Sequence, residues 1–439
     1  MAGIVYRYRG RLHRGTKMID DLLIVHASEL VTLKGPRRAR AKAEMSDLAI
    51  IRDGAVAVSG GVIVDVGRTD SILKEHGAGD VEIIDATDRT VLPGFVDPHT
   101  HLVYAGSREF ELELKAKGKG YLEILGEGGG ILRTVSDTRL ASPGTLFKES
   151  AKRLESMISH GTTTVEAKSG YGLDRTIELR LLETARKLGD EYPVTIVPTY
   201  LGAHAVPPEF AGRTDGYVDF MISEVLPEVA KRKLAEFCDV FCEKGVFDVD
   251  QSRKVLLAAK SLGMKLKVHA DEMHSTGGAE LAAEVGAVSA DHLARPSDDG
   301  IMALARKDVM GVLLPGTPYS SMSKEYADGR RLIDLGVPIA LGTDLNPNCW
   351  NESMQFTISL ACHKMRMTPA EAVTASTINA AAALGLDKKV GTIERGKRAD
   401  LIVLDIPGHA HLPYKFGTNL CSRVVKDGKT VWERQPFKI

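Results

Sequence analysis

The chain has 439 residues, of which 44% are hydrophobic and 26% charged, close to the averages of globular proteins. Because 57 basic residues nearly balance 58 acidic ones, the net charge of -1 argues against a nucleic-acid-binding protein. No apolar run approaches the roughly 18 residues that cross a membrane, and the charged N-terminus lacks the apolar core of a signal peptide. Five scattered cysteines are too few for a disulfide framework and favour a reducing cytoplasm. We therefore expect a cytoplasmic enzyme.

Short β-rich runs lie near both ends of the chain. The N-terminal section includes AIIRDGAVAVSGGVIVDVG, in which Gly60-Gly61 indicates a hairpin. The C-terminal section includes ADLIVLDI and SRVVKDGKTVWE, with Asp427-Gly428 as a turn. Because each section is too small to bury a core alone, we predict that residues 1–94 and 391–439 join into one small β-sandwich.

Between these sections, short apolar runs alternate with helical stretches, a pattern typical of parallel strands joined by helices. One such helix spans residues 143–161 and is expected to end at Gly161. Eight candidate strands occupy residues 94–101, 162–168, 194–200, 239–244, 266–272, 288–294, 310–316 and 337–344. The sequence thus predicts an α/β fold with one (β/α)8 TIM barrel over residues 95–390.

Polar residues fall late in these candidate strands, where a barrel places its active site. His99 and His101 are two residues apart, so both side chains can point to the same face and approach one metal ion. His269, His292 and Asp344 lie at the ends of the fifth, sixth and eighth strands. Three histidines and one carboxylate make a ligand set that leaves a position open for water. We predict a mononuclear hydrolytic metal site, the alternative being hydrogen-bonded core histidines.

Two other motifs bear on this site. At the end of the fourth strand, a carboxylated Lys244 or a bridging Glu243 beside Cys242 would make the site binuclear, but the sequence offers no second ligand set. The triplet at residues 128–130 lacks the Lys-Ser/Thr of a phosphate-binding loop and is predicted to be a flexible loop near the barrel mouth.

Nearly the whole chain resembles the amidohydrolase superfamily, through LPGFVDPHTH, VHADE, ADHL, LGTD and GTIERGKRADLIVLD. Within it, HTHLVYAGSRE, KSGYGL, YLGAHAVP, HADEMH and GTDLNP are similar to the imidazolonepropionase family. The resemblance implies hydrolysis of the cyclic amide of 4-imidazolone-5-propanoate to N-formimidoyl-L-glutamate in histidine degradation. It also implies a small-molecule substrate and a homodimer, while the charge balance and the lack of a long apolar run predict no nucleic-acid or membrane partner.

The resemblance implies a role for each matching residue. The ligands of one Zn(II) or Fe ion correspond to His99, His101, His269 and Asp344. The catalytic groups correspond to Asp344, His292 and Glu272. The substrate contacts correspond to Arg108, Tyr171, His204, Glu272, Asn346, Asn348 and Cys349.

Chemical reasoning agrees with these implied roles. Asp344 can take a proton from the attacking water, while His292 hydrogen-bonds the developing oxyanion and Glu272 the ring nitrogens. Arg108 offers a two-pronged fork for the propionate carboxylate. The ligand types suit Zn and Fe alike, so the sequence does not choose between them.

The chain departs from the family pattern in DLNPNCW, where Asn348 and Cys349 replace the Gly and the Thr or Ser of many relatives. A hydroxyl is therefore absent at position 349. Two other functions stay open: a hydrolase or deaminase acting on another heterocycle, and a barrel that has lost its chemistry. The sequence assigns no role to Met1–Lys17 or to the basic loop at residues 34–45.

Overall fold

A computed structural model describes residues 22–76, 81–120, 123–124 and 127–435. Met1–Lys17 lies outside the described residues. The described strands form one eight-stranded sheet and two smaller sheets. These strands are β1 Leu22–Ala27, β2 Glu29–Val31, β3 Ile50–Ile51, β4 Gly54–Ser59, β5 Val62–Arg68, β6 Glu82–Asp85, β7 Thr90–Pro93, β8 Phe95–Asp97, β9 Thr162–Lys168, β10 Thr195–Ala203, β11 Phe237–Cys242, β12 Lys265–Ala270, β13 Ser289–His292, β14 Met310–Leu313, β15 Ile339–Leu341, β16 Leu401–Leu404, β17 Cys421–Lys426 and β18 Lys429–Glu433.

Most of the described helices lie between the strands of the eight-stranded sheet or follow its last strand. They are α1 Thr69–His76, α2 Phe110–Ala116, α3 Ile131–Leu140, α4 Pro143–Ser159, α5 Arg175–Glu191, α6 Thr214–Phe220, α7 Leu226–Lys231, α8 Val249–Ser261, α9 Gly278–Val285, α10 Asp298–Arg306, α11 Gly316–Ser320, α12 Gly329–Leu335, α13 Met354–Lys364, α14 Pro369–Ala375, α15 Ile378–Ala383 and α16 His411–Tyr414. In none of the helices of the described part is there a stretch long and apolar enough to span a membrane.

The eight-stranded sheet is the predicted TIM barrel, with strands β8 to β15 in sequence order and all pairs parallel. A parallel bridge between Thr100 and Leu345 joins the first strand region to the eighth. All eight predicted strands are present, but several end earlier than the sequence indicates. Strand β8 ends at Asp97 and β15 at Leu341, so the metal-ligand candidates beyond them stand on loops at the carboxyl face.

The two smaller sheets form the predicted additional β domain. Strands β5, β4, β1 and β6 form one sheet, and β18, β17, β16, β7, β2 and β3 form the other, which combines both chain ends. A buried cluster that includes Leu22, Val56, Leu401 and Val425 contains side chains from both sheets. The N-terminal β section therefore completes its core with strands from the other end of the chain.

Both predicted hairpins are present, β4–β5 and β17–β18. Gly60 and Gly61 have φ values of +59° and +76°, the left-handed backbone that a two-residue hairpin turn requires. The first barrel strand begins at Phe95, and β16 begins at Leu401. The exact domain divisions at residues 94 and 390 stay predictions.

The basic loop at residues 34–45 includes a buried arginine that hydrogen-bonds to the surrounding backbone. Arg40 is buried and donates to the backbone carbonyls of Leu33 and Asp47, the latter at 3.0 Å. Its own backbone exchanges hydrogen bonds of 2.8 and 2.9 Å with the side chain of Asn379 on α15. These contacts join the N-terminal section to the helices that follow the barrel.

Candidate metal centre and catalytic cavity

A cavity of about 420 Å³ opens at the carboxyl ends of the barrel strands. Its walls contain most of the residues singled out by the sequence. Those in its lining are His101, Arg108, Tyr171, His204, His269, Glu272, His292, Asp344, Asn346 and Asn348. His99 lies fully buried beneath them, and Cys349 is not part of the lining.

The four proposed metal ligands converge at the base of this cavity. Asp344 Oδ1 lies 3.5 Å from His99 Nε2 and 3.6 Å from His101 Nε2. The ring centroids of His99 and His269 are 4.6 Å apart. Among the described residues, His99 Nε2, His269 Nε2 and Asp344 Oδ1 have no hydrogen-bond partner, although all three atoms are buried. Since buried polar atoms are rarely left unsatisfied, this donor set fits a metal ion.

His292 is a further nitrogen donor at the same point. Ligand atoms of His99, His269 and His292 lie within 4.8 Å of one another, as do those of His99, His101 and Asp344. His292 Nε2 is also 3.6 Å from Glu272 Oε2. The geometry therefore allows His292 to act beside a metal ion or to approach it.

Behind the ligands lies a buried layer of charged residues that the sequence reasoning missed. Asp291 Oδ2 is 2.6 Å from His99 Nδ1, and Asp239 Oδ2 is 2.9 Å from His269 Nδ1. Lys168 Nζ lies 2.8 Å from Asp239 Oδ2, so the ammonium compensates part of this negative charge. Carboxylates behind the Nδ1 atoms orient the imidazoles and direct Nε2 towards the cavity.

Burial and neighbouring charges set the protonation of the site. Burial lowers the pKa of His99, His101 and His292, so these imidazoles are neutral and able to bind a metal. Burial raises the pKa of Asp344, and burial together with the Asp344 charge raises the pKa of Glu272 to about 8. Glu272 is therefore protonated at neutral pH in the absence of a cation and can donate a hydrogen bond.

The orientation of the Asp344 side chain depends on helix α11, which follows strand β14. Its Oδ2 accepts a hydrogen bond from the hydroxyl of Thr317, at the start of α11. Its backbone has a φ of +51°, and His292 has a φ of +75°. Such backbone conformations are unfavourable for residues other than glycine and often occur at functional sites. Thr317 carried no motif that would have identified it.

Arg108 is buried and held by a residue that the sequence reasoning also missed. Its Nε and Nη2 donate to the two carboxylate oxygens of Glu111 at 2.7 and 2.8 Å. Glu111 also accepts from the backbone N–H of Gly130 at 2.7 Å. Within the triplet at residues 128–130, a Cβ at Gly129 would lie 2.8 Å from Glu111 Oε1. The triplet thus packs against the carboxylate that orients Arg108.

Tyr171 and His204 occupy adjacent positions on the wall. The loop that carries Tyr171 is fixed by Glu178, which accepts backbone hydrogen bonds of 2.7 Å from Gly172 and 2.9 Å from Leu173. His204 Nδ1 lies 3.0 Å from the Gly170 carbonyl, which leaves Nε2 for the cavity. The His204 ring also stacks on His101, with centroids 4.7 Å apart.

The loop after β15 is organised by Asn346. Its Oδ1 accepts from the backbone N–H groups of Asn348 and Cys349 at 2.8 and 3.1 Å, and its Nδ2 donates to the Asp344 carbonyl at 2.8 Å. Asn348 Oδ1 accepts from Lys115 Nζ at 2.5 Å. Cys349 is buried with its Sγ 3.6 Å from the Thr343 carbonyl, so it packs beneath the loop.

The end of the fourth barrel strand does not face the metal ligands. Glu243 accepts a 2.9 Å hydrogen bond from the backbone of Met273 and lies 2.9 Å from His274 Nδ1. Within the described ranges, none of the groupings of candidate ligand atoms includes Cys242 or Glu243. The expectation of one metal ion stays a prediction.

The Amidohydrolase family profile matches residues 90–431. Imidazolonepropionase of Geobacillus kaustophilus is 52% identical over 414 residues, covering 93% of this chain and 97% of the relative. The enzyme of the same name from Parabacteroides distasonis is 51% identical, with coverages of 93% and 98%.

Among solved structures, E. coli guanine deaminase aligns with a TM-score of 0.71 and 16% identity over 94% of this chain and 99% of that chain. An adenosine deaminase from Xanthomonas campestris with bound zinc gives a TM-score of 0.68 and 19% identity, with coverages of 94% and 93%. These structural likenesses establish the fold, whereas the sequence relatives are far closer. The chain belongs to the imidazolonepropionase family of the amidohydrolases.

Proposed function

We propose that this protein hydrolyses the cyclic amide of 4-imidazolone-5-propanoate and releases N-formimidoyl-L-glutamate. The observation that carries the proposal is the cavity itself. The His and Asp ligand atoms at its base have no hydrogen-bond partner in the described part of the chain, and the buried Arg108 guanidinium lies in its wall. A ring amide and a carboxylate on one small substrate need these two functions in one cavity.

One Zn(II) or Fe ion per subunit would be held by His99, His101, His269 and Asp344. When bound, such an ion lowers the pKa of a coordinated water to about 7 and polarises a carbonyl. The neutral state of His99 and His101 that burial favours suits this role, because a protonated imidazole has no lone pair for a metal.

Asp344 and His292 have different roles in the reaction: Asp344 transfers the proton, and His292 stabilises the developing charge. Water adds to the ring carbonyl carbon, and Asp344 accepts a proton from that water through Oδ1. His292 stabilises the negative charge that develops on the carbonyl oxygen. The bond between this carbon and the ring nitrogen breaks, and the nitrogen takes the proton that Asp344 had accepted. Such acid–base steps contribute about 10²–10⁴-fold to a rate.

The remaining residues hold the substrate. Glu272 reaches the ring nitrogens from the loop after β12, and Arg108 binds the propionate carboxylate. Tyr171, His204 and Asn346 border the space between them. We expect Cys349 to support the loop from below, since its thiol lies outside the cavity lining.

The proposal extends to the cellular setting. The five cysteines are free in the structure, which agrees with a reducing cytoplasm. A homodimer is the arrangement that the family resemblance implies, and the charge balance and apolar pattern of the sequence favour neither a nucleic-acid nor a membrane partner.

An activity panel tests the substrate assignment against the alternative of a deaminase or another heterocycle hydrolase. We expect metal-loaded protein to consume imidazolone-5-propionate and to release no ammonia from guanine or adenosine. Ammonia release from a purine without imidazolone hydrolysis would overturn the assignment. The named relatives at about half identity favour the first result over the deaminases, which share only the fold.

A further inference from the structure

Lys115 is a second cation beside Arg108 that no motif identified. It lies on α2, one turn after Glu111, and its side chain is 14% exposed. Both Lys115 and Arg108 line the same cavity as Asp344. Its Nζ is 3.7 Å from Glu111 Oε2, too far for a hydrogen bond.

The charges on this part of the wall do not cancel. Glu111 supplies one negative charge against the two positive charges of Arg108 and Lys115. Of the other charged residues in the lining, Lys119 bonds Glu127 and Arg295 bonds Glu325, while Glu272 and Asp344 lie beside the histidines at the base. The region around Arg108 and Lys115 therefore carries a net positive charge that one carboxylate would neutralise.

Both cations also keep donors available. Glu111 occupies Nε and Nη2 of Arg108, and within the described part of the chain Nη1 has no hydrogen-bond partner. The Lys115 ammonium has three donors, of which one goes to Asn348 Oδ1 at 2.5 Å. This contact fixes the Lys115 side chain against the loop after β15, and it depends on the asparagine that departs from the family pattern.

We propose that Arg108 and Lys115 form a two-cation subsite for the substrate carboxylate, and that Asn348 is the positioning residue that holds Lys115 in it. The identity of the substrate rests on the proposed function, whereas the preference for a carboxylate rests on the charges and contacts above. Glu111 aligns Arg108, and Asn348 aligns Lys115. Arg108 therefore approaches the carboxylate from the loop before α2, and Lys115 approaches it from α2 itself.

Ligand binding by metal-loaded protein separates this role from a structural one. The probes are 3-(imidazol-4-yl)propionate and its uncharged amide, and calorimetry measures the Kd of each. We expect the wild-type protein to bind the carboxylate more tightly, and Lys115→Met to weaken that ligand roughly 10- to 100-fold, the size of a lost charge-assisted hydrogen bond. Affinity for the amide should stay within about twofold, because the amide has no charge for the Lys115 ammonium to neutralise.

Matched variants sharpen the test. Lys117→Met removes an exposed lysine directly after the same helix, whose ammonium pairs with Glu113, and should change neither Kd. Asn348→Gly should weaken carboxylate binding less than Lys115→Met does, and the double variant should add little to the Lys115→Met loss. With imidazolone-5-propionate as substrate, Lys115→Met should raise KM and leave kcat nearly unchanged.

Three outcomes would overturn the subsite: equal weakening of both probes by Lys115→Met, no weakening of either, or a wild-type protein that does not prefer the carboxylate. A fully additive double variant would overturn the role of Asn348. A wild-type protein that prefers the carboxylate probe but does not turn over imidazolone-5-propionate would refute the proposed function and leave the subsite standing.

Discussion

Asp344 uses its two carboxylate oxygens for different purposes. Oδ2 accepts a hydrogen bond from Thr317, while Oδ1 lies 3.5 Å from His99 Nε2 and has no hydrogen-bond partner among the described residues. One oxygen thus fixes the side chain and the other faces the cavity. The contact from Thr317 therefore fixes the orientation of Oδ1, the oxygen that is available to a cation or a proton.

Replacing Asp344 by Asn keeps the shape of the side chain and removes its basicity. We expect kcat to fall by about 10²–10⁴-fold, because an amide cannot accept the proton of the attacking water. Steady-state kinetics at saturating metal measure the loss, and circular dichroism checks the fold. The control is Asp334→Asn, an exposed carboxylate on α12. Turnover close to that of the wild type would remove Asp344 from the mechanism.

Arg108→Met tests binding of the propionate. We expect mainly a higher KM, by roughly 10- to 100-fold, since a charge-assisted hydrogen bond to the substrate is lost. Arg133→Met, which removes a half-exposed arginine on α3, should leave KM unchanged. If KM for Arg108→Met equals that of this control, another group binds the carboxylate.

At the level of strands, the site depends on charged side chains inside the barrel. Glu166, Lys168, Asp239 and Asp291 are all buried in β9, β11 and β13. Lys168 Nζ lies within 3.5 Å of a carboxylate oxygen of each of the other three. Because an isolated buried charge is very costly, the carboxylates behind the histidines require a cation such as Lys168.

Asp239→Asn should weaken metal binding and leave the packing of the barrel interior unchanged, because the amide has nearly the same shape as the carboxylate. The substitution removes the negative charge behind His269 Nδ1, and loss of such a partner typically costs 10–100-fold in metal affinity. Competition with a chelator of known affinity measures the change, which does not depend on turnover. Asp219→Asn, on the exposed side of α6, is the control. Identical metal affinity in the two variants would contradict the role assigned to Asp239.

The strand pattern was predictable because the barrel strands are short apolar runs between amphipathic helices. The placement of His99, His269 and Asp344 at one face followed from the parallel arrangement. In contrast, Glu111 and Thr317 lie on segments whose sequence is typical of surface helices and turns. Their contacts with Arg108 and Asp344 form only because the fold brings α2 and α11 beside the cavity. The local sequence does not predict this placement.

For the whole molecule, the β domain and the barrel share buried polar contacts. Lys397, which precedes β16, is fully buried and donates to the carbonyls of Asp387 and Val390 at 2.6 and 3.1 Å. Both acceptors follow the last helix of the barrel region. The Lys397 ammonium therefore connects the end of the barrel region to the segment that leads into strand β16 of the β domain.

Burial lowers the pKa of Lys397 from 10.5 to about 8, so the native state releases this proton before the unfolded state does. Between about pH 8 and 10.5 the unfolded chain binds more protons, and this group makes the free energy of unfolding rise with pH. Relative to Lys397→Met, the wild-type protein should gain stability from pH 8 to 10 in denaturant titrations. A difference between the two proteins that does not vary with pH would contradict this assignment.

In the proposed reaction, one metal-dependent cavity opens the imidazolone ring. The most direct test of this reaction follows the loss of imidazolone-5-propionate absorbance with purified protein, before chelation, after chelation and after metal add-back. We predict decay that chelation abolishes and that Zn(II) or Fe restores. Decay that persists in metal-free protein would contradict the role of the metal centre, and no decay in metal-replete protein would contradict the substrate.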